Sequence, residues 1–227
     1  MNKNFTALCA AMLAFAVMLF VCAGYISESK KFALADDGKS VYLTFDDGPS
    51  DRVTPKILDV LKEENVKATF FIVGVNAETR KPLIKREFDE GHTVAVHSYT
   101  HKYKDIYSSA ESLLKDIDKC NEVIKNVTGE YSKLYRFPGG SFGLKQELIS
   151  AVREHGMKYI DWNASCRDAE LINPTPRQLL NAAVSTSANQ KKVVLLLHDS
   201  TTKNSTVEAL KCIIKHFKDG GYDFKAF

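Results

Sequence analysis

The sequence predicts an α/β fold, a parallel sheet wrapped by helices and either open or closed into a barrel. Three observations carry this expectation. Short runs rich in β-branched and aromatic residues ("VYLTF", "ATFFIV", "HTVAV", "KLYRF", "KYIDW", "KVVLLLH") alternate with segments whose apolar residues recur at helical spacing. No repeat, low-complexity tract or second-domain linker interrupts that alternation. Four strand candidates run into chemically able clusters, "TFDDGPS", "VHSYTH", "RFPGGS" and "LLHDS", at the C-terminal strand ends where sites gather in such folds.

Each element has a local reason. After the strand 41–45, Thr54 is placed to cap a helix, Pro55 fits its first turn, and Ile57, Leu58 and Leu61 form its apolar face. A buried strand "ATFFIV" follows, then a short helix over 82–90 and the strand "HTVAV". Leu113, Ile117, Cys120, Ile124 and Val127 repeat at helical spacing until Gly129 stops the run. Helical patterns around 148–152 and 179–184 separate the later strands, and a last helix is predicted over 207–217.

The chain has 227 residues, 44% hydrophobic and 26% charged, a composition that suits one domain with a real core and excludes a disordered chain. A net charge of +3, dispersed along the sequence, gives no argument for a nucleic-acid partner. Residues 5–25 carry no charge and follow Lys3, which marks 1–25 as a signal peptide or an N-terminal membrane anchor. Export is therefore expected, to a secreted or cell-surface location, with 26–39 as a short linker and 40–227 as the working domain. Cys9 and Cys22 fall in the leader. Cys120, Cys166 and Cys212 are an odd set without close pairs, so no disulfide scaffold is expected, and Cys120 and Cys212 are read as small core residues. The N-x-Ser/Thr triplets at Asn126, Asn163 and Asn204 carry no weight.

The clusters supply the chemistry. Asp46 and Asp47 sit where a strand gives way to the Gly48-Pro49 turn, and like charges stay close only where water, a cation or separate donors divide them. His97 and His101 lie four apart, so one helical turn after a strand would aim both imidazoles at one point. Two histidines and a carboxylate make a divalent-metal site, zinc by ligand type, with cobalt or nickel as substitutes. Because Ser98 stands where zinc proteases carry a glutamate, the base must come from elsewhere, and the aspartate pair can provide both ligand and base. Arg136 places a cation before a Pro-Gly-Gly turn whose bare backbone N–H groups can face an oxyanion. His198, at the mouth of an apolar strand, suits a general acid. His155 and His216 are read as helix-end residues and His92 as a turn residue.

In order and interval, "TFDDGP", "HSYTH", "RFPGG" and "LLLHDS" resemble the polysaccharide deacetylases of the NodB-homology type, carbohydrate esterase family 4, from about Ser40 to the C-terminus. The resemblance implies a distorted (β/α) barrel that binds zinc or a similar ion and removes acetyl groups from N-acetylated sugars of peptidoglycan or chitin-like polymers. It implies Asp46 as base, Asp47, His97 and His101 as metal ligands, Arg136 as the residue orienting Asp46, and His198 as acid. The Gly139 N–H would help bind the oxyanion, with Leu196 beside the substrate. Two departures stand out. Where the family commonly reads D-S-x-D-W, this chain has "SCRDA", so Asp168 or its rival Asp161 would orient His198; and Gly139 stands where many members carry an aromatic residue. The expected partner is an N-acetylated cell-wall glycan, met by a monomer that the N-terminal segment would tether to a membrane if it serves as an anchor. Alternatives are an O-acetyl esterase on xylan-like polymers and a catalytically inactive carbohydrate-binding relative.

Overall fold

Strand β1 (Lys39–Asp46) is buried on both faces, as a strand must be when it lies inside a parallel sheet covered by helices. The computed structural model describes residues 38–227, so the leader read at 1–25 and nearly all of the linker lie outside the described residues. Among the described residues, no helix is long and apolar enough to cross a membrane. The chain continues through α1 (Thr54–Glu63), β2 (Thr69–Val73), α2 (Gly74–Glu78), α3 (Lys81–Asp89), β3 (Thr93–Ser98), α4 (Tyr103–Ile106) and α5 (Ala110–Thr128). Then come β4 (Leu134–Tyr135), α6 (Gln146–Glu154), β5 (Lys158–Tyr159), β6 (Ala164–Ser165), α7 (Pro176–Thr186), β7 (Lys192–His198), α8 (Asn204–Asp219) and β8 (Tyr222–Lys225).

Every pairing is parallel, in the order β5-β4-β3-β2-β1-β7-β6, with β8 beside the first half of β1. The sheet curls, and its two edge strands are separated in sequence only by residues 160–163. This is the distorted, incompletely closed (β/α) barrel that the sequence resemblance implies. Side chains alternate between the two faces of each strand. On β1, Val41, Leu43 and Phe45 join the outer core with Ile57, Leu61 and Ile213. Thr44 and Asp46 point the other way, into the barrel, and their register partners on β7 are Leu196 and His198.

Four local expectations are corrected. Thr54 does not cap α1: it is the first helical residue, Val53 precedes it, and its hydroxyl accepts from the Ser50 N–H and donates to Asp199. The runs "KLYRF" and "KYIDW" yield strands of only two residues, because the chain turns away at once to carry Arg136 and Asp161 toward the barrel mouth. β6 and β8 were not expected; each is short and takes its pairing from a long neighbour, β7 or β1, rather than from its own propensity. Cys212 is exposed on α8, whereas Cys120 is buried as expected and Cys166 is buried too.

Phe45 has no exposed surface and stacks on Phe70 with ring centroids 5.1 Å apart. Phe45→Ala is expected to lower the unfolding free energy by about 3–5 kcal/mol through lost burial and a residual cavity. Urea unfolding followed by circular dichroism checks this, and a loss below about 1 kcal/mol would show that the outer core does not depend on this ring.

Candidate active site at the C-terminal strand ends

Three side chains from two strand ends converge. The ligating atoms of Asp47, His97 and His101 all lie within 4.8 Å of one another. Asp47 Oδ1 is 3.2 Å from His101 Nε2 and 3.5 Å from His97 Nε2. Two of the three occupy the left-handed region, Asp47 at φ 74° and His101 at φ 57°, a conformation that non-glycine residues adopt at a cost and that needs outside support.

The support for the histidines comes from α5. The Asp116 carboxylate accepts from Ser98 Oγ (2.7 Å), the Tyr99 N–H (2.6 Å), the Thr100 N–H (3.1 Å) and Thr100 Oγ1 (2.9 Å). Ser98 Oγ in turn accepts from the His101 N–H at 2.9 Å. The "HSYTH" segment is therefore a turn wrapped around one carboxylate, and the expected helical turn does not form: His101 lies in the left-handed region, outside the right-handed helical one. Asp116 is a residue the sequence reading missed. Its only sequence signal is a carboxylate on the inner side of an amphipathic helix, next to Ile117.

Gly48 supports the aspartates. A Cβ there would stand 2.0 Å from Asp199 Oδ2, so no larger residue fits between the aspartate turn and Asp199. The Asp199 N–H donates to the Asp46 carbonyl (3.1 Å), and its own carbonyl accepts from Ser50 Oγ (2.6 Å). Burial pushes the Asp199 carboxyl up to about 7; its Thr54 hydrogen bond opposes the rise, and the Asp47 and Asp46 charges add to it.

The two neighbouring aspartates occupy different environments. Asp46 is buried, and its Oδ1 accepts from Arg136 Nη1 at 2.9 Å, while Oδ2 faces His97 Nε2 at 3.9 Å. Arg136 has no exposed surface. Its remaining donors go to Thr44 Oγ1 (2.8 Å), the Ile160 carbonyl (2.9 Å) and, at 3.5 Å, the Asp161 carbonyl, and its guanidinium lies 4.2 Å from the Phe71 ring centre. Its own carbonyl accepts from His97 Nδ1 at 2.8 Å, which leaves Nε2 of that ring turned toward Asp47. For Asp47, burial opposes the charged form, but the hydrogen bond and charge of His97, with His198 and His101, outweigh it and hold the carboxyl far below the usual range.

His198, the register partner of Asp46, ends the neighbouring strand. Its Nδ1–H donates to Asp168 Oδ1 (2.7 Å) and its backbone N–H to Asp168 Oδ2 (2.9 Å), and Thr206 Oγ1 also donates to Oδ2 (2.8 Å). Asp168, not Asp161, therefore meets His198. Asp161 instead accepts from the Ser141 N–H at 3.0 Å and from the Ser141 hydroxyl, bracing the Pro-Gly-Gly turn. Burial alone would lower the His198 pKa, yet the hydrogen bond and charge of Asp168, with Asp46 and Asp47, push it up to about 9. Gly139, at φ 78°, keeps its N–H without a protein partner among the described residues. Leu196 is nearly buried beneath His198 on the same face of β7. The histidines read as structural behave so: His155 pairs with Asp118 at 2.6 Å, His216 lies in the last turn of α8, and buried His92 accepts from the Ala68 N–H.

The donor set fits a divalent cation: one carboxylate and two imidazole Nε2 atoms face a common point, with His97 oriented by the Arg136 carbonyl and the turn that carries His101 held by Asp116. Asp116→Ala is expected to weaken zinc affinity by about 10- to 100-fold, the usual effect of removing an outer-shell partner. Calorimetric titration of the metal-free protein measures it, and unchanged affinity would show that the turn holds its shape without the carboxylate.

A second expectation follows from His198. The folded protein raises its pKa above the unfolded value near 6.5, so the His198–Asp168 pair stabilises the fold fully below 6.5, and that stabilisation is lost as pH rises through about 9. In the metal-free protein, NMR titration should place the His198 ring near 9, and in Asp168→Asn near or below 6.5. A ring that titrates alike in both proteins would show that Asp168 does not set its charge.

Known proteins resemble the chain in sequence and in fold. Residues 33–160 match the family model described as polysaccharide deacetylase. The chain is 37% identical over 194 residues to a peptidoglycan-N-acetylglucosamine deacetylase of Bacillus cereus, covering 83% of this chain and 69% of that protein. It is 32% identical over 190 residues to a peptidoglycan-N-acetylmuramic acid deacetylase of Bacillus subtilis, covering 83% of this chain and 70% of that one. A solved CE4 esterase of Streptococcus mutans superposes with a TM-score of 0.79 at 32% identity, over 84% of this chain and 87% of its own. With the four strand-end clusters meeting at one barrel mouth, these likenesses make the chain a member of the polysaccharide deacetylase family.

Proposed function

We propose that the protein is an exported, metal-dependent hydrolase that removes N-acetyl groups from a cell-wall glycan and releases acetate. The observation that carries this reading is the pairing of Asp46 with His198 across β1 and β7, beside the Asp47–His97–His101 cluster. A base, an acid and a cation site thus share one barrel mouth. Family membership supports the reaction class, and the names of the Bacillus relatives favour peptidoglycan as substrate. The uncharged run 5–25 supports export.

When bound by Asp47, His97 and His101, the ion supplies Lewis acidity at the acetyl carbonyl and a water of lowered pKa. The chain's own residues do the rest. Arg136 engages one oxygen of Asp46, leaving the other, which faces His97, to take a proton from the attacking water. As the C–O bond forms, charge builds on the carbonyl oxygen, where the unpartnered Gly139 N–H can donate. His198, protonated and steadied through Nδ1 by Asp168, gives its Nε2 proton to the sugar nitrogen as the C–N bond breaks. The products are acetate and a free amino sugar.

Two substitutions separate the roles. Asp46→Asn should retain metal while acetate release falls by about 10²- to 10⁴-fold, the usual contribution of a positioned base. Asp47→Ala should lose metal, with activity partly restored by excess zinc. Acetate released from N-acetylglucosamine oligomers, muropeptides and acetylated xylan, together with elemental analysis, reads both. The assignment falls if Asp46→Asn loses the metal while Asp47→Ala keeps it. Release from xylan alone would make the protein an O-acetyl esterase.

A further inference from the structure

Gly139 and Gly140 leave the turn after Pro138 bare of side chains, and aromatic rings stand beside each of them. A Cβ on Gly139 would lie 3.2 Å from Tyr103 Oη and 3.4 Å from its Cε2. A Cβ on Gly140 would lie 3.1 Å from Trp162 Cη2 and 3.2 Å from Phe142 Cδ2. The space that a side chain at Gly139 would fill is therefore already taken by Tyr103, a residue supplied from α4, two positions after His101.

Tyr103 is held in that place. Its ring meets His101 edge to face at 5.4 Å and lies 5.9 Å from Tyr107, whose hydroxyl donates to the Pro138 carbonyl at 2.8 Å. Yet Tyr103 is 47% exposed, and Phe142, beside Gly140, is 71% exposed while packing edge-on against Trp162 at 6.4 Å. Neither ring is buried enough for core packing to account for it. An exposed ring beside a polar reaction centre, with a hydroxyl at its rim, matches a pyranose, which offers a C–H face to stack and an equatorial hydroxyl to bond.

We propose that Tyr103 forms the groove wall that Gly139 leaves bare, stacking on a sugar of the N-acetylated glycan and setting affinity for the polymer. The inference rests on the glycan reading above. Tyr103 acts on substrate binding, while the reacting groups remain those of the strand ends.

The test uses the zinc-loaded Asp46→Asn chain and a pentamer of N-acetylglucosamine in calorimetric titration. Introducing Tyr103→Ala should weaken pentamer binding about tenfold or more, and Tyr103→Phe by less, since the ring remains. Zinc affinity should stay within about twofold of the parent, since the substitution removes no ligand. In the otherwise intact chain, Tyr103→Ala should raise KM for the pentamer by a larger factor than it changes kcat. Unchanged pentamer affinity in Tyr103→Ala overturns the proposal. Loss of zinc alongside loss of pentamer also overturns it, because Tyr103 would then be acting through His101. A parent that binds the pentamer but releases no acetate in its intact form overturns the deacetylase reading alone. A parent that never binds the pentamer yet deacetylates another polymer overturns this inference alone.

Discussion

The barrel mouth is organised around one buried charge. Arg136 sits without exposed surface at the end of β4, and a guanidinium in that position is tolerable only if its donors are used and its charge is balanced. Here Asp46 balances it, Thr44 and the Ile160 carbonyl take further N–H groups, and the ring of Phe71 covers one face. These partners come from β1, β2 and the segment after β5, so one side chain ties together strands far apart in sequence. The same residue's carbonyl orients His97. Asp46 and His97 are thereby fixed by two ends of a single residue, and neither can move without disturbing the other.

Charge alternates across the mouth. Arg136 faces Asp46 on one side, and His198 faces Asp168 on the other, with the ligating cluster between them. This order explains why adjacent aspartates can be held together. Asp46 spends its charge on Arg136, Asp47 is surrounded by imidazoles, and the left-handed backbone at Asp47 turns the second carboxylate away from the direction a regular strand would give it. His198, in turn, has its pKa raised against the effect of burial because Asp168 accepts from both its ring and its backbone, with the Asp46 and Asp47 charges adding to the rise.

The departures from the family pattern have local accounts. At Ser165, where an aspartate is common, the hydroxyl accepts from the Arg167 N–H at 2.9 Å and shapes the turn at left-handed Arg167. The carboxylate needed by His198 comes from Asp168, which also accepts from Thr206. At Gly139 the missing aromatic is offset by the ring of Tyr103, delivered by the loop that carries the histidines.

Much was legible in the sequence because its signals are local. Apolar periodicity marked the long helices and the central strands, and α5 ended at Gly129 as its left-handed cap required. That the strand-end carboxylates and imidazoles would gather was legible too, because they end neighbouring strands of one sheet: Asp47, His97 and His101 lie together, and Asp46 is paired with His198. What the sequence by itself could not decide was which side chains meet across the sheet. The choice of Asp168 over Asp161 depends on β6 lying beside β7, and the turn conformation of "HSYTH" depends on a carboxylate from α5, 15 residues beyond His101 by their numbers. The two-residue strands β4 and β6 take their pairing from the longer β3 and β7, and β5 pairs in turn with β4. The filling of Gly139 by Tyr103 is likewise a contact between loops. Local pattern sets which residues can form an element or perform a reaction, but register and packing between distant segments determine which of them face one another, and only the tertiary structure supplies that.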